Sequence, residues 1–431
     1  MSRPRVPLAE RVGPLWSPWR VVISFGFVSL AVDMVSDGGR SLAGPLLGQL
    51  GASALVVGLV TGAGDAIAQA FRLVSGPWAD RTGKYWTFSL IGYAMTAICI
   101  PLLALAPAAG GAGLVLASAL ILGDRTGKAV RSPAKTVLLA GAAHAVGRGR
   151  GFAVHKSLDQ LGAFLGPLLV SAVIAVSAVI WPAFAVLAIP AALAMVLLIW
   201  LRSRVPDMSV YEPLAEAAAP GSASAIASAP SRAKPARLSA RFYSFAAAAF
   251  AANAGLVTFG VISFHLTDSG LVPLPVVPLF YGAAMAIAAV AALVSGFLYD
   301  RWGPVVLLAV PVLIASVPLL ALSEQLAAIV VGVLSWGAAM GILDSTVKAL
   351  VADLVPSGRR GTAYGIFAAF EGVGAFVGGA LAGALYHQRP LLSAIVAGLQ
   401  LVAMLLLAIT VWRHRRQRRG GAEAPPQPGS A

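Results

Sequence analysis

Charge is what this sequence has least of. Asp, Glu, Lys and Arg make up only 11% of its 431 residues, 58% are hydrophobic, and the mean hydropathy is +0.85. Soluble domains carry about a quarter charged residues, so the composition excludes an ordinary water-soluble fold and makes lipid the solvent for most of the chain. Acidic residues are scarcest, 17 against 31 basic ones, for a formal net charge of +14. Cysteine is nearly absent: Cys99 stands alone inside an apolar segment, which excludes an intramolecular disulfide and leaves the redox compartment open. The five histidines, His144, His155, His265, His387 and His414, are scattered among different segments, and no HExxH, GxSxG, GKS or GKT motif occurs. These absences argue against a membrane enzyme, a metal centre or other cofactor, and a built-in ATP motor.

What is present is long apolar runs. In hydrocarbon every backbone N–H and C=O must be satisfied internally, which leaves helices or a closed barrel. Trp181 to Leu201 and Leu391 to Trp412 are apolar throughout, over the about 20 residues a helix needs to cross, where barrel strands would alternate over about ten. Runs and polar punctuation predict spans near 20–44, 53–78, 86–107, 112–141, 150–176 and 179–201, then 242–267, 276–298, 304–322, 326–354, 361–386 and 390–412. The first run lacks a small-residue cleavage site, so it reads as the first span and not as a removed signal peptide.

Residues 203–240 turn rich in Ala, Ser and Pro, with Glu212, Glu216, Arg232, Lys234 and Arg237. Such a composition buries no core and reads as a linker. Lys and Arg accumulate on the cytoplasmic side of short loops. With the N-terminus inside, that side holds Arg3, Arg5, Arg11, Arg20, Arg81, Lys84, Arg148, Arg150, Arg202, Arg204, Arg241, Arg301, Arg359, Arg360 and the tail Arg413 to Arg419, whereas the outer loops hold only Arg389. Both termini are therefore expected in the cytoplasm of a bacterial inner membrane. The basic tail reads as an anchor near anionic lipid and not as a nucleic-acid binder.

The chain repeats itself. GPWADRTG at Gly76 to Gly83 returns as GFLYDRWG at Gly296 to Gly303; Arg148-Gly149 and Gly162-Ala-Phe-Leu-Gly166 return as Arg360-Gly361 and Gly374-Ala-Phe-Val-Gly378, in a register that pairs Asp159 with Glu371. Parallel repeats of six spans are one architecture of transporters, with substrate bound at midplane between halves that rock.

These stretches resemble the major facilitator superfamily, whose loop motif of a glycine, then Asp-Arg, then a glycine stands here twice. DMVSDGGRSLAGPLLGQLGAS in span 1, DRTGKAVRSPAK in span 4, FAVHKSLDQLGAFLGP in span 5 and ADLVPSGRRGTAYGIF entering span 11 are similar to a bacterial multidrug or permease-like branch. The resemblance implies an all-α membrane protein of twelve transmembrane helices in two pseudo-symmetric six-helix bundles: 1–202, a cytoplasmic linker 203–240, then 241–413, with a basic tail 414–431. It implies a monomeric secondary transporter of a small-molecule solute, proton-coupled and exporting, with a proton-coupled importer or a transport-dead sensor as the alternatives. Two departures stand out. Thr136 occupies a position usually acidic in the branch, and Leu168-Leu169-Val170-Ser171 replace the paired glycines expected after Gly162-x-x-x-Gly166-Pro167 in exporters.

Ionisable groups inside a span cost about 2.5–3.5 kcal/mol each to insert, so each is a candidate for function. Span 1 carries Asp33, Asp37 and Arg40; span 2, Asp65 and Arg72; span 4, Asp124, Arg125, Lys128, Arg131 and Lys135; span 5, His155, Lys156 and Asp159; the second half adds Asp344, Lys348 and Glu371. Asp33 falls about a dozen residues into its span, roughly 18 Å of rise and near the bilayer middle. Asp37 follows at i+4, where Gly38-Gly39 predict local unwinding. Asp124, Lys128, Arg131 and Lys135 fall on one stripe of a helix. That stripe must face water, substrate or acidic partners: it is either a neutralised network or a substrate contact.

His155 and Asp159, also i and i+4, are a proton relay or a packing hydrogen bond. Phe367 stands where a histidine would precede Glu371, so coupling is expected in the first half. The expected proton-coupling set is Asp33, Asp37, His155, Asp159 and Glu371; Arg125, Lys128, Arg131, Lys135 and Asp344 are expected in the central cavity, where the resemblance sets span 1 opposite span 4. Gly76, Asp80, Arg81 and Gly83, with Asp300 and Arg301, are expected at the cytoplasmic gate. There the Asp80 carboxylate can cap the positive N-terminus of a neighbouring helix, which the resemblance implies is span 11 near Gly361, or merely solubilise a loop.

Overall fold

The computed structural model describes residues 16–211, 238–355 and 360–422. Expectations placed on Arg3, Arg5, Arg11, the linker cations and Arg359 lie outside the described residues, as do the side chains of Arg148, Lys348, Arg360 and everything from Arg413 on.

Four helical segments start at a side-chain cap. Ser17, Ser53, Ser239 and Thr258 each accept a hydrogen bond from a backbone N–H of the following turn, satisfying a donor that has no intrahelical partner. The first half comprises α1 (Pro18–Ser41), α2 (Ala54–Thr82), α3 (Tyr85–Leu102), α4 (Gly113–Ala145), α5 (Arg148–Ser177) and α6 (Trp181–Arg204). The second comprises α7 (Ala240–Asp268), α8 (Val277–Trp302), α9 (Ala309–Ala321), α10 (Leu326–Leu354), α11 (Arg360–Ala384) and α12 (Arg389–Ala422). Among the described residues there is no strand.

Among the described residues ten helical stretches are long and apolar enough to cross a membrane. Two of them, Tyr85–Ala145 with 61 residues and Leu274–Ala321 with 48, hold more than twice the about 20 residues one crossing requires. Each is broken by a 3₁₀ turn, Leu103–Ala112 or Gly303–Leu308. Divided there, the stretches give the twelve segments above, close to the spans predicted from sequence. Gly83 and Gly303, the closing glycines of the duplicated loop motif, end α2 and α8 at positive φ, 63° and 70°, which a side chain would oppose. Gly38-Gly39 do not unwind α1, contrary to expectation. The helix runs to Ser41 because both glycines face close neighbours, Gly38 the Gly166 backbone and Gly39 the Ile100 side chain.

The repeat is a packing repeat. A Cβ at Gly162 or Gly166 would collide with the backbone of Leu30 or Met34, and one at Gly374 or Gly378 with that of Phe250 or Asn253. So α5 lies parallel on α1, and α11 on α7, through equivalent glycines. Between the halves, Gly58 meets Gly379, Gly62 meets Ala375 and Gly372 meets Ala66, so α2 and α11 run antiparallel along a glycine seam.

We call the face where α1 begins the terminal face and its opposite the far face. A short helix, Ala43–Gln49, follows α1 at the far face and packs on the last segment of α7, Phe259–Asp268. One buried apolar cluster runs through the second half, from Phe242 and Phe245 to Phe259 and Trp336, and joins the first half at the far face through Leu46 and Leu47. The terminal-face part of the first half has a separate cluster, with Val21, Phe25, Trp86, Leu138, Leu198 and Tyr211. Tyr211 closes it, its hydroxyl donating to the Trp16 carbonyl at 2.8 Å; burial pushes that hydroxyl's pKa up. Large apolar side chains such as Ile189, Val196, Phe297, Leu401 and Leu405 are exposed, as a lipid-facing surface requires.

Candidate functional site

Asp33 and Asp37 stand one turn apart on α1, beside α4 and α5. Asp33 reaches Arg131 of α4 at 3.5 Å, two residues that the resemblance sets on opposite spans. Arg131 is fixed from two further sides: its Nη1 donates to Thr96 of α3 at 2.6 Å, and its guanidinium lies 5.1 Å from the Tyr93 ring centroid. Such a buried charge persists only where counter-charge and acceptors surround it.

One turn along α4, Lys135 donates to Ser29 at 3.2 Å and pairs with Asp159 at 3.4 Å. Asp159 also faces Lys156 at 3.5 Å. Of the two readings of His155 and Asp159, the packing hydrogen bond does not form: Nε2 lies 3.8 Å from the carboxylate and 3.4 Å from the Ser29 hydroxyl. Helical spacing put the two on one face, but lysines from α4 and α5 crowd the same carboxylate. His155 Nδ1 is buried with no hydrogen-bond partner among the described residues.

Toward the far face Ser36 donates to Asp124 at 3.3 Å, Asp124 lies 3.7 Å from Arg125, and Arg40 donates to both Asp65 oxygens at 2.8 and 2.9 Å. Asp124, Arg131 and Lys135 of the α4 stripe thus each stand beside an opposite charge. Lys128 differs: it feels Asp37 and Asp33, yet no carboxylate among the described residues comes within ion-pair distance.

Asp37 does not pair with an α4 cation. Tyr281 of α8 donates to it at 2.6 Å, so this carboxylate is held by the other half. Thr61 and Thr258 meet at 2.8 Å and Ser171 donates to the Pro275 carbonyl at 2.6 Å, which also bridges the halves near the far face. Sequence reasoning missed Tyr281, Ser29, Tyr93 and Thr96. A tyrosine in the apolar run Phe280 to Ala288 was the available signal for the first.

Asp344 of α10 and Glu371 of α11 lie within electrostatic reach of Arg72 in α2, and Asp344 also of Lys156 in α5. The second half therefore sets its acids against cations of the first. At the terminal face Asp80, Arg81, Asp300 and Arg301 are exposed. Asp80 accepts a hydrogen bond from Tyr85 of its own half at 3.1 Å. Among the described residues no group of three or more His, Cys, Asp or Glu could hold a metal ion.

A family model described as Major Facilitator Superfamily matches residues 25–335 and 286–430. An uncharacterized protein of Mycobacterium tuberculosis and one of Mycobacterium bovis are each 44% identical over 403 residues, 92% of this chain and 95% of theirs. Among solved structures the fold is similar to the nucleoside transporter NupG (TM-score 0.62, 14% identity, 91% of this chain and 99% of that one). It is similar too to a POT family transporter in complex with 5-aminolevulinic acid (0.66, 15%, 92% and 96%). A third likeness is to a bacterial homolog of the human lysosomal transporter Spinster, inward-facing and unoccupied (0.61, 17%, 96% and 99%).

Proposed function

Because the chain belongs to the Major Facilitator Superfamily and folds as its transporters do, we propose that it moves a small solute across the bacterial inner membrane by alternating access driven by protons. The observation that carries the reading is the Asp33–Arg131 pair at 3.5 Å, mid-span between α1 and α4, with Arg131 buried and Asp33 half-buried. A proton taken by Asp33 removes half of that pair, releases Arg131 toward its remaining partners and lowers the cost of rearranging α1 against α4. Asp159, shared by two lysines, is the second carboxylate of the relay. The joined apolar cluster at the far face and the separate one toward the terminal face support a conformer closed on the far side. With both termini cytoplasmic, it is open inward. Export is the direction the sequence resemblance favours.

In this conformer Asp80 rests on Tyr85. When the terminal face closes, it serves as the latch that meets the start of α11. The test is a substrate screen by uptake into inverted vesicles, with and without an imposed pH gradient. Asp33→Asn and Asp159→Asn each abolish accumulation while sparing exchange of substrate for substrate, His155→Ala moves the pH optimum, and Asp80→Asn slows turnover at normal protein levels. If both Asn variants still concentrate substrate on a pH gradient alone, coupling lies elsewhere, with Glu371 and Asp344 next.

A further inference from the structure

The last segment of α7 is a separate lever. The helix breaks at Leu256–Thr258, where Leu256 is extended, the Val257 carbonyl is taken by the Trp336 indole N–H at 2.8 Å, and Thr258 caps a new helix, Phe259–Asp268. One side of this helix seals the far face: a Cβ at Gly44 would collide with Gly260 and Ser263, and one at Gly48 would press on the Phe264 ring. Its other side is tied back to its own half by His265, fully buried, and by Asp268 at the helix end.

The tie is a chain of three contacts. His265 Nε2 lies 2.9 Å from the Ser323 carbonyl, Nδ1 lies 2.9 Å from the Tyr386 hydroxyl, and Tyr386 donates to Asp268 at 2.9 Å. Both ends of the chain, a carbonyl and a carboxylate, only accept. Three contacts need three hydrogens. A neutral imidazole has one N–H and tyrosine one O–H, so with Asp268 ionised the chain is one hydrogen short. The hydroxyl cannot supply two, and burial together with Asp268 raises its pKa, so it keeps the one it has.

We propose that His265, Tyr386 and Asp268 form a proton-binding site at the far face of the second half, occupied when the imidazole carries hydrogens on both nitrogens. With the proton bound, Nε2–H donates to Ser323, Nδ1–H donates to Tyr386, and Tyr386 donates to the carboxylate whose charge balances the ring. When the proton leaves, Nδ1 and the hydroxyl oxygen face each other as two acceptors, or the hydroxyl turns to Nδ1 and releases Asp268. Either way one link between the α7 lever and the α11–α12 turn breaks. The charged groups around the ring are Asp268, Glu324 and Arg389; Arg389 and Glu324 are 3.3 Å apart and neutralise each other, while the His387 ring packs 5.0 Å from that of Tyr386. Asp268 is thus the net counter-charge. The site stands apart from the α1–α4–α5 network, and it gives the second half the titratable histidine that the repeat lacks beside Glu371.

The protonation state is read directly on the full chain, with no transport required. With only five histidines, the protein labelled with ¹⁵N-histidine in nanodiscs gives few ring signals, and His265→Gln assigns the one in question. The wild type is expected to show a doubly protonated His265 ring that loses one proton as pH rises. In Asp268→Asn the midpoint falls by roughly one pH unit or more, and in Tyr386→Phe it falls as well. Spin labels at Gln49→Cys and Leu271→Cys, with Cys99→Ala, report the seam: their separation changes with pH over the same range and ceases to do so in His265→Gln. A ring singly protonated from pH 5 to 8 in the wild type, or an unchanged midpoint in Asp268→Asn, overturns the proposal while leaving proton coupling through Asp33 standing.

Discussion

Arg131 shows how much one side chain carries. It touches α1 through Asp33 and α3 through Thr96 and Tyr93, so three helices are registered by one guanidinium. Removing one partner of a buried pair costs about 3–5 kcal/mol because the other charge is stranded. Arg131→Met is therefore expected to lower the unfolding temperature of the purified protein markedly, and Asp33→Asn with Arg131→Met to recover most of the loss. Equal losses in the single and double variants would mean that the pair does not hold these helices. Helix arithmetic put Asp33 at mid-span and Arg131 on the stripe of α4, and the family resemblance set those two spans opposite one another. It could not supply Thr96, Tyr93 or Tyr281, because a neutral polar residue in a span gives no sign of its partner until the helices are packed. Spacing put His155 beside Asp159 on α5, where it stands at 3.8 Å, but gave no sign that α4 would bring Lys135 to the same carboxylate.

At the scale of elements, the spans were legible because twenty-odd apolar residues leave few alternatives in lipid. The break in α7 was not: Leu256 and Val257 are as apolar as their neighbours, and what stabilises the break is Trp336, far away in sequence. The pairing of α2 with α11 was equally hidden, though it rests on glycines anyone can count. Gly58 and Gly379 are backbone to backbone, while Gly398 on α12 has open space around it. Overpacking costs about 1–3 kcal/mol, enough to shift a two-state population roughly 5- to 150-fold. Gly379→Leu is accordingly expected to part the seam and expose Thr61→Cys, in a Cys99→Ala background, to an impermeant thiol reagent from the far side, whereas Gly398→Leu leaves it protected. Protection in both variants would mean that the seam yields without opening.

At the scale of the molecule the duplicated sequence becomes two halves built on the same glycine contacts, α5 on α1 and α11 on α7. Charge did not follow the duplication. The first half keeps Asp33, Asp159, Lys135 and Arg131 in contact, while the second places its far-face titratable group at His265 and its acids toward the first half's cations. Orientation rests on the basic-residue split, and reporter fusions at residue 220 and after residue 420 are both expected to read cytoplasmic. A periplasmic reading at either overturns the topology and turns the conformer around.

The charges named within the spans have an electrical consequence. Arg40, Arg72, Arg125, Lys128, Arg131, Lys135, Lys156 and Lys348 stand against Asp33, Asp37, Asp65, Asp124, Asp159, Asp344 and Glu371, eight against seven. A charge carried across the full membrane potential is worth about 2.3 kcal/mol per 100 mV, so a carrier bearing a large net charge within its spans would be held in one state by the voltage alone. Here the field pulls on opposite signs almost equally. The empty carrier turns nearly free of the membrane potential, and the voltage acts on whatever cargo or proton it holds.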